Sequence, residues 1–529
     1  MKKIKISVLL LVCLLTFTEC EKQLDLAPLG ELTEDTFYQN ERDFDAATLS
    51  AYNTFLNMYW EAYAGWGKMG LILMQDDDML PANNASNQVE DFDWTNTNGH
   101  FSYLWGEAYK GIQRANVILD RLPEASAFTN EANKGRFEGE AKFIRAYWHF
   151  MLAINWENPP VISQAIKSFE ETMVSNSQPG EIWNLIISDL TDAKANLPLS
   201  YDEANVGRIT WGAATTLLGK VYLHKAQLTN SPADYDQAIT NLQEVVSSNQ
   251  YSLVDNYGDN FHIDHENNSE SIFEVQIESE GSGNNNQWLA NDYGTPGNED
   301  VGSVMSGRVA FMRASCGPTG VCAFRPEDAS LGEAVTSPSL MAEIEPDDPR
   351  RPYIYYVEGD EYIEGLTYDA EWSVTGSTPS KYVIGTPIIF PPISDTNNDR
   401  ILRYADVLLM LAEARLLGNN DVEGAAALIN EVRHRADPTE TILVPRSDAV
   451  SADEMFEFLM HERRIELAFE GWRYYDLVRW HKAGLINIAT DIDFGRGPAN
   501  SNWQERHLVK PIPLRERDLN PNLVDPNYN

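Results

Sequence analysis

Residues 461–484 read HERRIELAFEGWRYYDLVRWHKAG, the densest mixture of charged and aromatic side chains in the chain. The helix it belongs to starts upstream at Ser451-Ala452-Asp453-Glu454. That is a capping box, in which a serine hydroxyl and a glutamate carboxylate answer backbone amides left open at a helix start. Met455, Phe458, Leu459, Glu462, Ile465 and Phe469 then fall on one face of a helix. Gly471 interrupts the run, Trp472 to Lys482 resume it, and Gly484 stops it. Glu462 stands inside the apolar stripe, and a carboxylate taken out of water must be paired. Arg463, Arg464, Arg473 and Arg479 are its expected partners. A catalytic reading would make Glu462 and Glu466, one turn apart, an acid/base pair. Arginines on every side would hold such a pair ionised and unable to donate a proton. The stretch therefore reads as architecture.

Upstream the pattern is also helical. In RYADVLLMLAEARLLGNN, Tyr404, Val407, Leu408, Leu411 and Ala412 share one face, and Gly418-Asn419-Asn420 is a stop. DVEGAAALINEVRHRA, residues 421–436, supplies a second amphipathic helix and so a helical hairpin. WGAATTLLGKVYLHKAQ followed by YDQAITNLQEVV repeats the unit, with Leu218-Gly219-x-x-Tyr222, then Tyr235 and Ala238, spaced as in a tetratricopeptide repeat. Residues 41–59, 101–122, 133–155 and 178–196 are further helical segments. From about Asn256 to Asp399 the helical period fades, Gly, Pro and Asn accumulate, and SIFEVQIE (271–278) reads as a short strand. A long irregular segment inside a folded chain is often functional.

The chain has 529 residues and a formal charge of −40, which repels nucleic acid and anionic lipid headgroups and excludes both as partners. Lys2, Lys3 and Lys5 precede an apolar run, Ile6 to Thr18, too short to cross a bilayer, so residues 1–19 read as a signal peptide. Cys20 ends the run and reads as the acylated first residue of a lipoprotein. Glu19 stands where a small residue is usual, and plain secretion is the alternative. Cys316 and Cys322 are the cysteines left after export, and an oxidising compartment favours a local disulfide between them over a zinc site that no nearby histidine would complete.

ERRIELAFEGWRYYDLVRW and PIPLRERDLNPNL resemble the C-terminal signature of the SusD/RagB family of outer-membrane nutrient-binding lipoproteins. GEAKFIRAYWHFMLAINW, NLIISDLTDAKANLP and GRITWGAATTLLGKVYL resemble its N-terminal half, while Trp156-Glu157-Asn158-Pro159-Pro160 departs from the family's usual turn. The resemblance implies a mainly α fold, with tetratricopeptide-like hairpins as scaffold and an irregular, loop-rich middle whose few short strands carry the ligand site. It divides the chain into a signal peptide (1–19), a lipid-anchored tether (20–40), an N-terminal helical part (41–255) and a C-terminal part (256–529), the last two intertwined. It implies an outward-facing protein, lipid-anchored in the outer membrane, that binds an oligosaccharide or a peptide without catalysis and delivers it to a SusC-type TonB-dependent transporter.

Sugar recognition uses flat aromatic faces with carboxylates and amides around them. Two irregular regions, around residues 60–94 and 285–300, offer Trp66, Asp77, Asn83 and Trp94, and then Trp288, Asp292 and Tyr293; Trp372 lies further along. Packing and ligand contact are both open for each aromatic. No cofactor is expected. Asp395-x-Asn397-x-Asp399 alternates oxygens like a calcium loop, but Arg400 replaces the needed glycine and no glutamate closes it. His262-x-x-His265 lacks the order of a zinc-protease motif. A surface hydrolase would need carboxylates paired across a cleft, and Asp76–Asp78 are adjacent. A protein-binding repeat scaffold with no small ligand is the other alternative.

Overall fold

The computed structural model describes residues 37–60, 75–81, 89, 91–125, 127–277, 334–362, 367–381, 397–495 and 502–528. Among them the protein is mainly helical. Six long helices come first: α1 (Glu41–Trp60), α2 (Gly99–Arg121), α3 (Ala132–Asn155), α4 (Glu181–Asn196), α5 (Trp211–Leu228) and α6 (Pro232–Ser247). Four follow the middle: α7 (Tyr404–Asn419), α8 (Val422–Ala436), α9 (Ala452–Glu466) and α10 (Arg473–Lys482). None of the described helices is long and apolar enough to cross a membrane.

Each helix from α1 to α6 packs on its sequence neighbour, and α7 packs on α6, so the helical array continues across the intervening middle. Small residues permit this. A Cβ on Gly219 of α5 would stand 2.6 Å from Leu242 of α6, and one on Gly418 of α7 would stand 2.6 Å from Cβ of Tyr235. The α7–α8 turn is closed by Asn420, at φ 53°, whose amide donates to the Leu416 carbonyl, and by Asp421, whose amide donates to the Arg415 carbonyl and whose carboxylate accepts from Gly424 N at 2.8 Å. The serine cap of α9 forms as expected, with Ser451 Oγ accepting from Glu454 N at 3.1 Å.

The strands pair in twos, antiparallel: β1 (Met79–Pro81) with β3 (Ala334–Thr336), β2 (Ser271–Val275) with β6 (Asp399–Arg403), and β4 (Tyr355–Tyr356) with β5 (Thr378–Pro379). The expected strand at 271–278 therefore ends at Val275. Phe273 of β2 inserts between Phe55 of α1, at 5.4 Å, and Phe143 of α3, at 5.5 Å, which seats the pair on the helical core.

Two details of the opening stretch differ from expectation. α9 ends at Glu466, and Phe469 lies beyond it in a turn, Leu467–Trp472, where Phe469 (φ 62°) and Gly471 (φ 85°) adopt left-handed backbone that no helix continues through. Glu462 is fully buried as anticipated, but its partners are Arg350 and Arg433, the latter at 2.9 Å, and none of the four arginines nearest in sequence. Those four answer other carboxylates, most of them from distant parts of the fold: Arg463 binds Asp406 and, within the stretch, Asp476; Arg464 and Arg473 bind Asp77; and Arg479 binds Glu413 and Asp476. Helical spacing fixes which face a side chain takes; it does not say what the fold brings to that face.

Candidate functional site

The last turn of α9 and the turn after it form a floor on which two of the strand pairs rest. On one side lies Gln75–Pro81, leading into β1. Arg464 Nε donates to Asp78 Oδ1 and Nη2 to the carbonyl of Asp77, both at 2.9 Å. Arg473, the first residue of α10, grips both carboxylate oxygens of Asp77, at 2.8 and 3.0 Å. Burial alone would raise the Asp77 carboxyl, but the two guanidiniums overcome it and lower it to about 2. Asp76 has no such partner among the described residues, and burial with Asp78 and Asp77 beside it pushes its carboxyl well up. Just past β3, Ser337 N donates to the carbonyl of Asp78 at 2.9 Å and its hydroxyl to that of Asp77. The two ends of the β1–β3 ribbon are thus tied at one point.

On the other side lies the segment from Arg350 to Lys381, which contains β4 and β5. Arg350 is fully buried and bridges Asp348, Glu462 and Glu466. At the far end Lys381 Nζ donates to the carbonyls of Glu466 and Ala468, at 3.0 and 2.8 Å, and to Glu470 Oε1 at 2.8 Å. Burial opposes the charge of Glu466, yet Arg435, Arg403 and Arg350 together hold its carboxyl well below the usual range. Paired with three arginines and sealed from solvent, Glu466 is poorly suited to serve as a general acid.

Between these anchors the segment presents an aromatic cluster. Tyr368 is fully buried and stacks 5.8 Å from Tyr356, while Tyr362 and Trp372 sit at its half-buried rim, 5.7 Å apart and edge to face. Carboxylates surround the rim. Glu358 accepts from Ala370 N at 2.6 Å and Asp369 from Glu371 N at 2.9 Å, and these turns fix the 3₁₀ segment Ala370–Trp372. β5 lies against β3, so the cluster and the β1–β3 ribbon are neighbours.

Of the residues expected at a site, Trp372 is on this rim. Two others are not available to a ligand. Trp94 is 1% exposed; its Nε1 donates to Tyr528 Oη at 2.7 Å and its ring packs on Phe92, Phe101 and His507. Asp77 is 2% exposed and fully engaged with two arginines. Both are structural: Trp94 fills the core under the C-terminal tail, and Asp77 anchors a strand. Trp66, Asn83, Trp288, Asp292 and Tyr293, with Cys20, Cys316 and Cys322, lie outside the described residues. Tyr362 was missed, although Tyr362, Tyr368 and Trp372 interleave with acids in EYIEGLTYDAEW, the mixture sought elsewhere. Asn397 donates its amide to the Phe261 carbonyl at 2.7 Å, and its oxygen accepts from Arg400. No group of three His, Cys, Asp or Glu among the described residues is arranged to hold a metal.

Two family profiles match consecutive parts of the chain: one described as "Starch-binding associating with outer membrane" over residues 42–223, and one described as "SusD family" over residues 349–529. A SusD-like protein of Formosa agariphila is 26% identical over 535 residues, which spans 96% of this chain and 95% of that one. The chain is SusD-like over nearly its whole length. The SusD fold follows it closely in solved structures. A SusD superfamily protein from Bacteroides vulgatus superposes with a TM-score of 0.73 at 27% identity, over 92% of this chain and 99% of that one. A structure described as a laminarin-binding SusD-like protein superposes with a TM-score of 0.71 at 25% identity, over 93% of this chain and all of its own. The second SusD profile ends on the PIPLRERDLNPNL tail, where Trp156 Nε1 donates to the carbonyl of Pro511 at 2.9 Å and ties the tail to the end of α3.

Proposed function

We propose that the protein binds a neutral oligosaccharide at the cell surface and hands it to a SusC-type TonB-dependent outer-membrane transporter, without cleaving it. The observation that carries the reading is the Tyr362–Trp372 rim: two half-buried aromatic side chains with Glu358, Asp369 and Glu371 around them, beside the β1–β3 ribbon. Aromatic faces take the C–H side of a sugar ring while carboxylates accept from its hydroxyls. A chain of formal charge −40 disfavours polyanionic glycans and leaves neutral ones. The laminarin-binding relative and the starch-binding description of the N-terminal profile support the same ligand class. A non-catalytic role agrees with the buried carboxylates of the floor, since Asp76 and Asp77 are adjacent and too deeply enclosed to flank a glycosidic bond. Acylation at Cys20 would hold the protein in the outer membrane.

The test is calorimetric titration of the protein with starch, laminarin, an acidic glycan and a peptide mixture, with product analysis after incubation. Binding of a neutral glycan with no shortened products is the expected result. Binding of peptide alone, or release of shorter chains, would replace this reading with one of its alternatives. A fatty-acid analogue should label the wild type in cells and leave Cys20→Ala unlabelled.

A further inference from the structure

The two units that frame the proposed site are not held to the scaffold independently. Gln75–Pro81 hangs on Arg464 and Arg473, which stand on either side of the Leu467–Trp472 turn. The segment that carries Trp372 enters at Arg350, on Glu462 and Glu466, and leaves at Lys381, on the carbonyls of Glu466 and Ala468 and the carboxylate of Glu470. All of these contacts fall within residues 462–473. Every one of these cations is buried or nearly so, with side-chain exposures of 6% for Arg464, 11% for Arg473 and 0% for Arg350 and Lys381.

Burying charge is a poor way to gain stability, because lost hydration offsets most of the attraction and an apolar packing of equal volume often does as well. Such groups supply direction instead. A guanidinium fork accepted by both oxygens of one carboxylate fixes its partner in position and orientation, which a methyl group cannot do. We propose that Arg464, Arg473 and Lys381 are positioning residues of the ligand site: they dock both of its supporting units on one short stretch, the end of α9 with the turn after it and the first residue of α10, and so set the distance and angle between them. The inference rests on the function proposed above. It gives the motif of the opening stretch a second role, as the part that keeps the two sides of the site in register.

The test compares Arg473→Lys, which keeps the charge but loses the fork, and the double variant Asp77→Asn/Arg473→Gln, which removes both charges, with Arg479→Lys. Arg479 is an equally buried arginine of α10 that serves Glu413 and Asp476 and touches neither unit. Hydrogen exchange is followed by mass spectrometry in peptides covering residues 75–81 and 334–340, and affinity is titrated with laminarin and starch. Both Arg473 variants should exchange these peptides about tenfold faster or more, since the bond from Ser337 N to the Asp78 carbonyl opens more often, and should bind glycan about fivefold or more weakly, because a smaller fraction of the protein holds the assembled site. Arg479→Lys should change neither. Faster exchange with unchanged affinity overturns the proposal, and so does unchanged exchange in both Arg473 variants. A wild type that takes up no glycan overturns the function itself, and that result is seen before any substitution is made.

Discussion

At the scale of single residues, the two tryptophans Trp94 and Trp372 make opposite predictions. Trp372→Ala removes one face of the half-buried rim, so glycan affinity should fall by about 1–3 kcal/mol, the scale of burying such a ring, or about five- to a hundredfold. Its melting temperature should change little, because Tyr356 and Tyr368 remain packed beneath it. Trp94→Ala excavates the core and removes the donor to the Tyr528 hydroxyl, so it should cost about 3–5 kcal/mol of stability while the surviving folded protein binds as before. Calorimetric titration and thermal melting on both variants separate the cases; early melting with normal binding for Trp372→Ala would remove it from the site. The sequence could not tell these tryptophans apart. Both stand in irregular stretches beside acids, and what distinguishes them is a contact with Tyr528, 434 residues away from Trp94.

At the scale of elements, most of the scaffold was legible because its signals are local. The serine cap and the Asn420 turn each act within a few residues, and the glycine on the inner face of α5 stands in a repeat spacing that its own helix displays. Gly219 shows how tightly the hairpin is set. Gly219→Ala would drive a methyl group against Leu242, 2.6 Å from its Cγ, and overpacking of this kind should cost about 1–3 kcal/mol despite alanine's better helix propensity. The same substitution at Gly106 of α2, where a Cβ meets nothing within 4 Å, should be stabilising by about 0.5–1 kcal/mol. Chemical denaturation of the two variants should give changes of opposite sign. The ionic contacts were much less legible. Arg350 and Arg433 reach Glu462 from 112 and 29 residues away, and no periodicity encodes such pairings.

At the scale of the whole molecule, the buried charges give stability a pH dependence that one histidine isolates. His461 lies between Glu343, 2.6 Å from Nδ1, and Glu345, 2.9 Å from Nε2. Burial disfavours its charge, but the two carboxylates prevail and raise it from 6.5 to about 9. A group bound to its proton more tightly when folded contributes fully below its unfolded value and loses that contribution as pH rises through the folded one. The contribution of His461 is therefore present at about pH 6 and gone above about pH 9. Lys381 and Lys510, lowered by burial to about 8 and about 7, act in the opposite direction, since folding is relieved of a buried charge as they deprotonate. Melting curves at both ends of that range should thus show a smaller alkaline loss, or a gain, in His461→Gln relative to wild type; identical pH profiles would remove His461 as the source.

The contact between Trp94 and Tyr528, and that between Trp156 and Pro511, join early core helices to the last segment of the chain. On a ribosome the chain grows from one end, so α2 and α3 emerge long before the residues that cover them. The patches around Trp94 and Trp156 stay open until residues 503–528 are made, and the final packing step must wait for them. That interval leaves apolar surface exposed and open to association with other chains.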